Sequence, residues 1–242
     1  MTKARSAAPD EAAASTQHDT QSNPFALAIP EQSPFNADDL RGILRMMMTA
    51  RRLDQKMLTL LKQGKSFFHI GGSGHEAAQI AAARAFVPGK DWFYPYYRDL
   101  SFMLAMGMGA EGIMTNFLAR ADDVNSGGRQ MPQHYGMKSA RVVSQSSPTG
   151  TQFLQAVGTA KGARLDGTDE VVYVSCGEGT TSQGDFHEAL NWASRAKLPV
   201  IFCVQDNKYA ISVHLSQQTG GSVYDMVGGY VNLERIEVDC TN

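Results

Sequence analysis

A lone acid between two glycines, Gly177-Glu178-Gly179, and an asparagine about thirty residues further on, Asn207, are the residues of this chain whose types and spacing point most directly to chemistry. Each follows an apolar run, VVYVSC over 171–176 and VIFCV over 200–204. Continuous β-branched runs read as strands buried on both faces, and open α/β sheets bind ligands beyond the carboxyl ends of their strands. Glycine permits unusual dihedrals and a close approach to a ligand. A helix starting just behind would add backbone N–H groups and a positive dipole end, which suit phosphate. A carboxylate in that place repels phosphate unless a cation stands between them. A hard ion such as Mg²⁺ takes about six oxygens, and one carboxylate, an Asn carbonyl, a backbone carbonyl, phosphate oxygens and water would supply them. The plainer alternative makes Glu178 a helix-start acid and Asn207 a turn residue. A lone G-x-G is weak, but two such corners after two buried strands favour a metal-bridged diphosphate.

The elements around these corners follow from periodicity. Strand, helix, strand over 171–204, with Phe186, Ala189, Leu190, Ala193 and Ala196 on one helix face, is a βαβ unit. The expected fold is therefore α/β, a parallel sheet with helices on both faces. Upstream, Asn36 can cap a long helix that runs to Gly64, and an Ala-rich helix starts near Gly74. WFYPYY over 92–97 reads as an aromatic loop, and DDVNSGGRQMPQHYG has too many turn residues for regular structure. Ser147-Pro148 reads as a helix start. In the helix that follows, Gly158 and Gly162 would let another backbone approach. Residues 1–35 read as a disordered or extended tail before a single domain over 36–242.

Composition excludes several classes. Lys and Arg total 22 against 24 acids, so no basic surface is available for nucleic acid or an anionic membrane. No apolar run approaches the roughly eighteen residues of a bilayer span. Three cysteines without zinc-site spacing read as reduced thiols, and the acid-containing N-terminus suits a bacterial-type cytoplasm better than a mitochondrial matrix.

Four stretches carry a resemblance: residues 177–212, YYRDL over 96–100, GGRQMPQHYG over 127–136 and SSPTGTQFLQAVGTAKG over 146–162. Together they resemble the α subunit of thiamine-diphosphate-dependent 2-oxo acid dehydrogenases, the E1 components of multienzyme complexes. RQMPQHYG and SSPTGTQ lean toward the branched-chain, 2-oxoisovalerate type. The resemblance implies thiamine diphosphate and Mg²⁺, with Glu178, Asn207 and the Tyr209 carbonyl as metal ligands. It puts Tyr97, Arg98, Ser147, Gly177, Gly179 and Thr180 around the cofactor and offers Gln205 as a hydrogen-bond donor to the diphosphate. It implies a potassium ion within Ser146, Pro148, Thr151 and Gln152, and a substrate- or cofactor-facing His134. It also implies a β-type partner in an α2β2 assembly, which supplies the acid at the aminopyrimidine ring, and a lipoyl domain of E2 that receives the acyl group. Two departures stand out: Gln205 occupies a position where branched-chain relatives carry Arg, and residue 242 precedes the family's C-terminal loop with its catalytic His. The chain is thus expected to be a fragment or a subunit completed by another polypeptide. Other readings are the same chemistry on pyruvate or acetoin, or a non-catalytic cofactor-binding or assembly module.

Overall fold

A computed structural model describes residues 35–240, so the expected tail lies outside the described residues but for Phe35. Residues from Ala37 onward make one compact unit. Helix α1 (Ala37–Lys62) begins one residue after Asn36, carries Asp38 and Asp39 in its first turn, and is followed by Gly64 at φ 69°. The acids meet the positive end of the helix dipole and Gly64 takes the left-handed turn that ends it. Helix α2 (Glu76–Arg84) is the expected Ala-rich helix.

Strand β1 (Trp92–Tyr94) is a departure, because its residues read as loop. Three residues are too few to show a period, and Pro95 follows at once; what makes them a strand is remote pairing with β2 (Val172–Gly177). Helices α3 (Leu100–Ala105) and α4 (Gly109–Phe117) come next, then the turn-rich stretch expected from its Gly and Ser content. Helix α5 (Thr151–Asp166) starts later than Ser147-Pro148 predicts. Gly150, at φ 101°, swings the chain out of helical geometry, so Pro148 sits in the turn before the helix. Among the described residues, nothing beyond the helix's own backbone lies within 4 Å of a side-chain carbon placed at Gly158 or Gly162. Helix α6 (Gly184–Ala196) and strand β3 (Val200–Gln205) complete the βαβ unit. A two-stranded hairpin, β4 (Tyr209–Ala210) with β5 (Val213–His214), follows directly, and a short helix α7 (Val223–Met226) lies beyond it.

The main sheet has the order β1-β2-β3 with all pairs parallel. Side chains alternate across β2. Tyr173 joins Phe93 on one face, under α1 to α4, where Phe102 stacks on it at 4.6 Å. Val172, Val174 and Cys176 face the other way, against Phe153, Ala156 and Ala160 of α5 and Phe186, Ala189 and Ala193 of α6. The expected helices on both faces are present. Strand β3, expected to be buried on both faces, is instead only half-buried: among the described residues it is the edge of the sheet, and Ile201 is 49% exposed. Among the described residues no helix is long and apolar enough to cross a membrane.

Packing on the second face should respond to truncation. Phe186 is 1% exposed and meets Phe153 at 5.0 Å between ring centroids. Phe186→Ala should cost about 3–5 kcal/mol in chemical denaturation, whereas Leu165→Ala, at a side chain 72% exposed, should stay within about 0.5 kcal/mol. Equal costs would contradict this core.

Candidate functional site

Because the three strands are parallel, their carboxyl ends share one edge of the sheet. Beyond β1 the chain runs through Tyr96, Tyr97 and Arg98, beyond β2 it enters Glu178, and beyond β3 it reaches Asp206 and Asn207. The register pairs Gly177 with Gln205, which sets the two sequence corners side by side, with Glu178 in the middle of the row.

Glu178 is only 1% exposed. One carboxylate oxygen, Oε2, accepts the backbone N–H of Asn207 at 3.3 Å. The other, Oε1, is buried without a hydrogen-bond partner. Buried polar atoms are nearly always paired, so an orphaned carboxylate oxygen calls for an explanation such as an ion. Asn207 is exposed, its amide oxygen accepts the Tyr209 N–H at 3.0 Å, and that oxygen retains a second lone pair. The turn is tight: Lys208 lies at φ 70° and its N–H donates to Asp206 Oδ1 at 2.8 Å. Among the described residues no cluster of three or more His, Cys, Asp or Glu could hold a metal. A cation here would rest on one carboxylate, an amide and backbone oxygens, and would need oxygens from a ligand to fill its shell.

The glycines serve different purposes. A side-chain carbon at Gly179 would lie 2.6 Å from the Ala210 side chain, so this glycine lets the β4 hairpin close onto the Glu178 turn. One at Gly177 would meet the Tyr96 ring at an ordinary 3.7 Å. The helix start expected right behind Glu178 is a short 3-10 turn, Glu178–Ser182, with α6 beginning only at Gly184. Within that turn Thr180 is buried and Thr181 donates its hydroxyl to Glu178 O at 2.7 Å.

Arg98 is half-buried below the Tyr97 ring, 5.8 Å from its centroid. One terminal nitrogen donates to Gly71 O at 2.5 Å, while its Nε is buried with no partner. Part of the guanidinium fork is therefore free for an anion. Gly71 belongs to the segment 66–74, which Gln133 also grips by pairing with both the N–H and the carbonyl of Ile70.

His134, next to Gln133, is 2% exposed. Its Nδ1 lies 3.1 Å from Pro132 O and its Nε2 lies 3.0 Å from Ser147 Oγ. A carbonyl only accepts, so Nδ1 carries the proton and Nε2 accepts from the Ser147 hydroxyl. Burial keeps this imidazole below the usual histidine range. Phe68 stands edge-on to it at 6.3 Å, and Met131 Sδ is 3.9 Å from Ser147 Oγ. The motif residues Ser147 and His134 are thus brought together, with two apolar neighbours, Phe68 and Met131, that sequence reasoning missed.

The 146–152 turn packs against the Glu178 turn: a side-chain carbon at Gly150 would lie 3.2 Å from Gln183 and 3.7 Å from Thr180. Gln152 donates to Ser175 O at 3.1 Å and accepts the Gly150 N–H at 3.1 Å, and Thr151 donates to Pro148 O at 3.1 Å. The polar groups expected to hold potassium thus close the turn on itself and onto β2. Ser146 is half-buried nearby.

Gln205 departs from expectation. It is 7% exposed, and its amide faces inward, donating to Asp99 Oδ1 at 2.5 Å and accepting from Gln79 at 2.8 Å. A direct hydrogen bond from Gln205 to a phosphate is not the role its geometry gives it. Asp99 is fully buried, accepts also from the Ser175 hydroxyl and from the Tyr96 N–H at 3.2 Å, and has its carboxyl pushed up to about 6 by burial. The Asp of YYRDL is the one sign of it in the sequence.

Comparison with known proteins follows the same lines. The family model described as dehydrogenase E1 component matches residues 44–242. The 2-oxoisovalerate dehydrogenase subunit alpha of Bacillus subtilis is 46% identical over 187 residues, covering 77% of this chain and 57% of that protein. The mitochondrial 2-oxoisovalerate dehydrogenase subunit alpha of Caenorhabditis elegans is 36% identical, covering 83% and 47%. The pyruvate dehydrogenase E1 component subunit alpha of Bacillus cereus is 32% identical, covering 88% and 53%. The chain spans about half the length of the curated relatives it matches.

The orphaned oxygen sets an expectation for Glu178→Gln. Without metal or diphosphate the neutral variant should be as stable as the wild type or more so, because it removes a buried charge left unsatisfied on one side. Thermal denaturation without and with Mg²⁺ and a diphosphate ligand checks this, and the variant should lose the shift that the pair produces. A loss of more than about 2 kcal/mol in the ligand-free state would make Glu178 a structural cap and not a metal ligand.

Proposed function

This chain belongs to the dehydrogenase E1 component family, and from that premise we propose that it is an α-type subunit that anchors thiamine diphosphate through Mg²⁺ for oxidative decarboxylation of a branched-chain 2-oxo acid. The observation that carries the reading is the buried, unpartnered Oε1 of Glu178 beside Asn207 at the strand ends. The residues present fit the group. Glu178, Asn207 and the Tyr209 carbonyl would hold the cation, and the free part of the Arg98 fork, with Tyr97 alongside, would meet the diphosphate. When bound, thiamine diphosphate supplies the electron sink for loss of CO₂.

The chain's own residues orient and shield. The Ser147 hydroxyl is held by His134, so it presents its remaining lone pairs in a fixed direction. Burial favours the neutral imidazole, and with Nδ1–H donated to Pro132 O the Nε2 lone pair keeps that hydroxyl donating toward the ring. Phe68 and Met131 give the same corner an apolar lining, which suits a branched aliphatic group. The relatives support that preference: the 46% identical protein is named for 2-oxoisovalerate, while a pyruvate-named one is 32% identical. A potassium ion within Ser146, Pro148, Thr151 and Gln152 is part of the same proposal, since Pro148 O and Gln152 Oε1 each accept one hydrogen bond and keep a second lone pair.

A β-type partner completes the reading. The other buried glutamate near the N-terminal helices, Glu76, is committed to Arg51 at 2.6 Å and to the Gly74 N–H at 2.8 Å. It is therefore not available for proton transfer at an aminopyrimidine, and a partner subunit would bring that acid. The acyl group would pass to a lipoyl arm of E2, whose disulfide takes the two electrons. A full-length α-type chain mixed with its β-type partner, assayed with an artificial electron acceptor, tests this. Turnover should require both chains, and kcat/KM should favour 2-oxoisovalerate over pyruvate by about tenfold or more, the worth of extra methyl groups in an apolar pocket. Turnover by the α-type chain alone would refute the division of roles. A preference for pyruvate would refute the substrate, and no cofactor binding at all would favour an assembly module.

A further inference from the structure

We propose that Asp99, held through Gln205 and Gln79, is a positioning residue that fixes Arg98 and the end of β3 relative to Glu178. The inference rests on the cofactor reading above. Three strands deliver residues to the site, and each end is loop-like beyond the last ladder hydrogen bond. Beyond the backbone register, their relative placement is set by side chains.

Asp99 follows Arg98 directly and receives hydrogen bonds from all three strand ends: the Tyr96 N–H after β1, the Ser175 hydroxyl in β2 and the Gln205 amide at the end of β3. Gln79 of α2 closes the network from behind. Its Nε2 donates to Gln205 Oε1 at 2.8 Å and to the carbonyl of Arg98 itself at 3.0 Å, and its Oε1 accepts the Ser101 N–H at 3.1 Å. Asp99, Gln79, Ser175 and Gln205 are all buried. An apolar core of the same volume would fold at least as well, since burying a carboxylate is costly even when it is hydrogen-bonded. What the carboxylate adds is direction: donors from three strands converge on one rigid acceptor, and Gln79 carries that geometry to the Arg98 backbone. Gln205 then serves the site through Asp99.

Donor and acceptor polarity makes the network testable. In Asp99→Asn the new amide nitrogen faces the Gln205 nitrogen, and Gln205 cannot flip without setting its nitrogen against that of Gln79. In Gln205→Glu two carboxylates meet. The double variant, Asp99→Asn with Gln205→Glu, exchanges the two groups. The amide now at position 99 donates to the carboxylate now at position 205, and Gln79 still donates to that carboxylate. Ser175 and Tyr96 still donate to the amide oxygen at position 99, so every hydrogen bond is restored with one negative charge.

The measurement is the KM for thiamine diphosphate at saturating Mg²⁺, with kcat, in the full α-type chain assembled with its partner. Gln79→Met, which keeps the volume and loses the bonds, is a companion that introduces no clash of polarity. Each single variant should raise the cofactor KM by about tenfold, the worth of one lost buried hydrogen bond, with kcat at saturation within about twofold, and the double variant should return KM to near the wild-type value. A Gln79→Met enzyme with wild-type KM, or a double variant no better than its singles, overturns the proposal. So does thermal destabilisation of the singles with unchanged KM, which is what a purely structural network would give. Glu178→Ala in the same assay separates the two readings. If it abolishes cofactor binding while the Asp99 and Gln79 variants bind normally, only the positioning role fails. If it binds normally too, the cofactor reading fails as well.

Discussion

A carboxylate oxygen sealed from water needs a donor or a cation, and among the described residues Glu178 Oε1 has no donor. Its twin, Oε2, is tied to the Asn207 N–H, which fixes the direction in which Oε1 faces. The cost of that arrangement is carried by the fold around it. Glu178 sits at the end of the central strand, flanked by the Arg98 loop on one side and the Asn207 turn on the other. Gly179 admits the β4 hairpin against it, and Gly150 admits the turn before α5.

The sparseness of the donor set has a consequence for how a cation binds. Among the described residues no group of three or more His, Cys, Asp or Glu could hold a metal, and Asp206 is paired with Lys208, which leaves Glu178 with Asn207 and backbone oxygens beside it. A hard divalent ion that prefers about six oxygens would be held weakly by such a set. A diphosphate would complete the shell, and the cation would in turn cancel the repulsion between diphosphate and Glu178. Metal and cofactor binding are then two halves of one event, and neither partner needs to bind tightly alone. The buried polar floor of Asp99, Gln205, Gln79 and Ser175 keeps the three strand ends in the spacing this requires.

Much of this is legible in the sequence, and the reason is local. The apolar runs at 171–176 and 200–204 announce strands, and residues just past them lie at one end of the sheet, so Glu178 and Asn207 become neighbours once the two strands pair, as they do with Gly177 opposite Gln205. The helix face of Phe186, Ala189 and Ala193 is equally plain. What escapes depends on contacts remote in sequence. Trp92–Tyr94 becomes a strand through remote pairing, with β2 on one side and Val142 on the other, so the reason Arg98 belongs to the same edge is hidden. The half-exposure of β3 follows from its place at the edge, which no local pattern records. Gln205, taken with its neighbours, reads as facing outward to the ligand. Its partner Asp99 lies 106 residues away, and a side chain at a strand end can turn either way. The late start of α5 reflects the left-handed Gly150, which outweighs the Ser-Pro signal.

Whether thiamine diphosphate binds through a metal is decided by the metal dependence of its affinity. Calorimetric titration of thiamine diphosphate into the assembled α- and β-type chains, once with Mg²⁺ and once with EDTA, compares the bridged and the bare diphosphate against the same Glu178. The account predicts binding with Mg²⁺ and affinity weaker by roughly a hundredfold or more with EDTA, since the bare diphosphate meets an uncompensated carboxylate. Equal affinity under the two conditions would contradict it, and Glu178 would then need another explanation for its unpartnered oxygen.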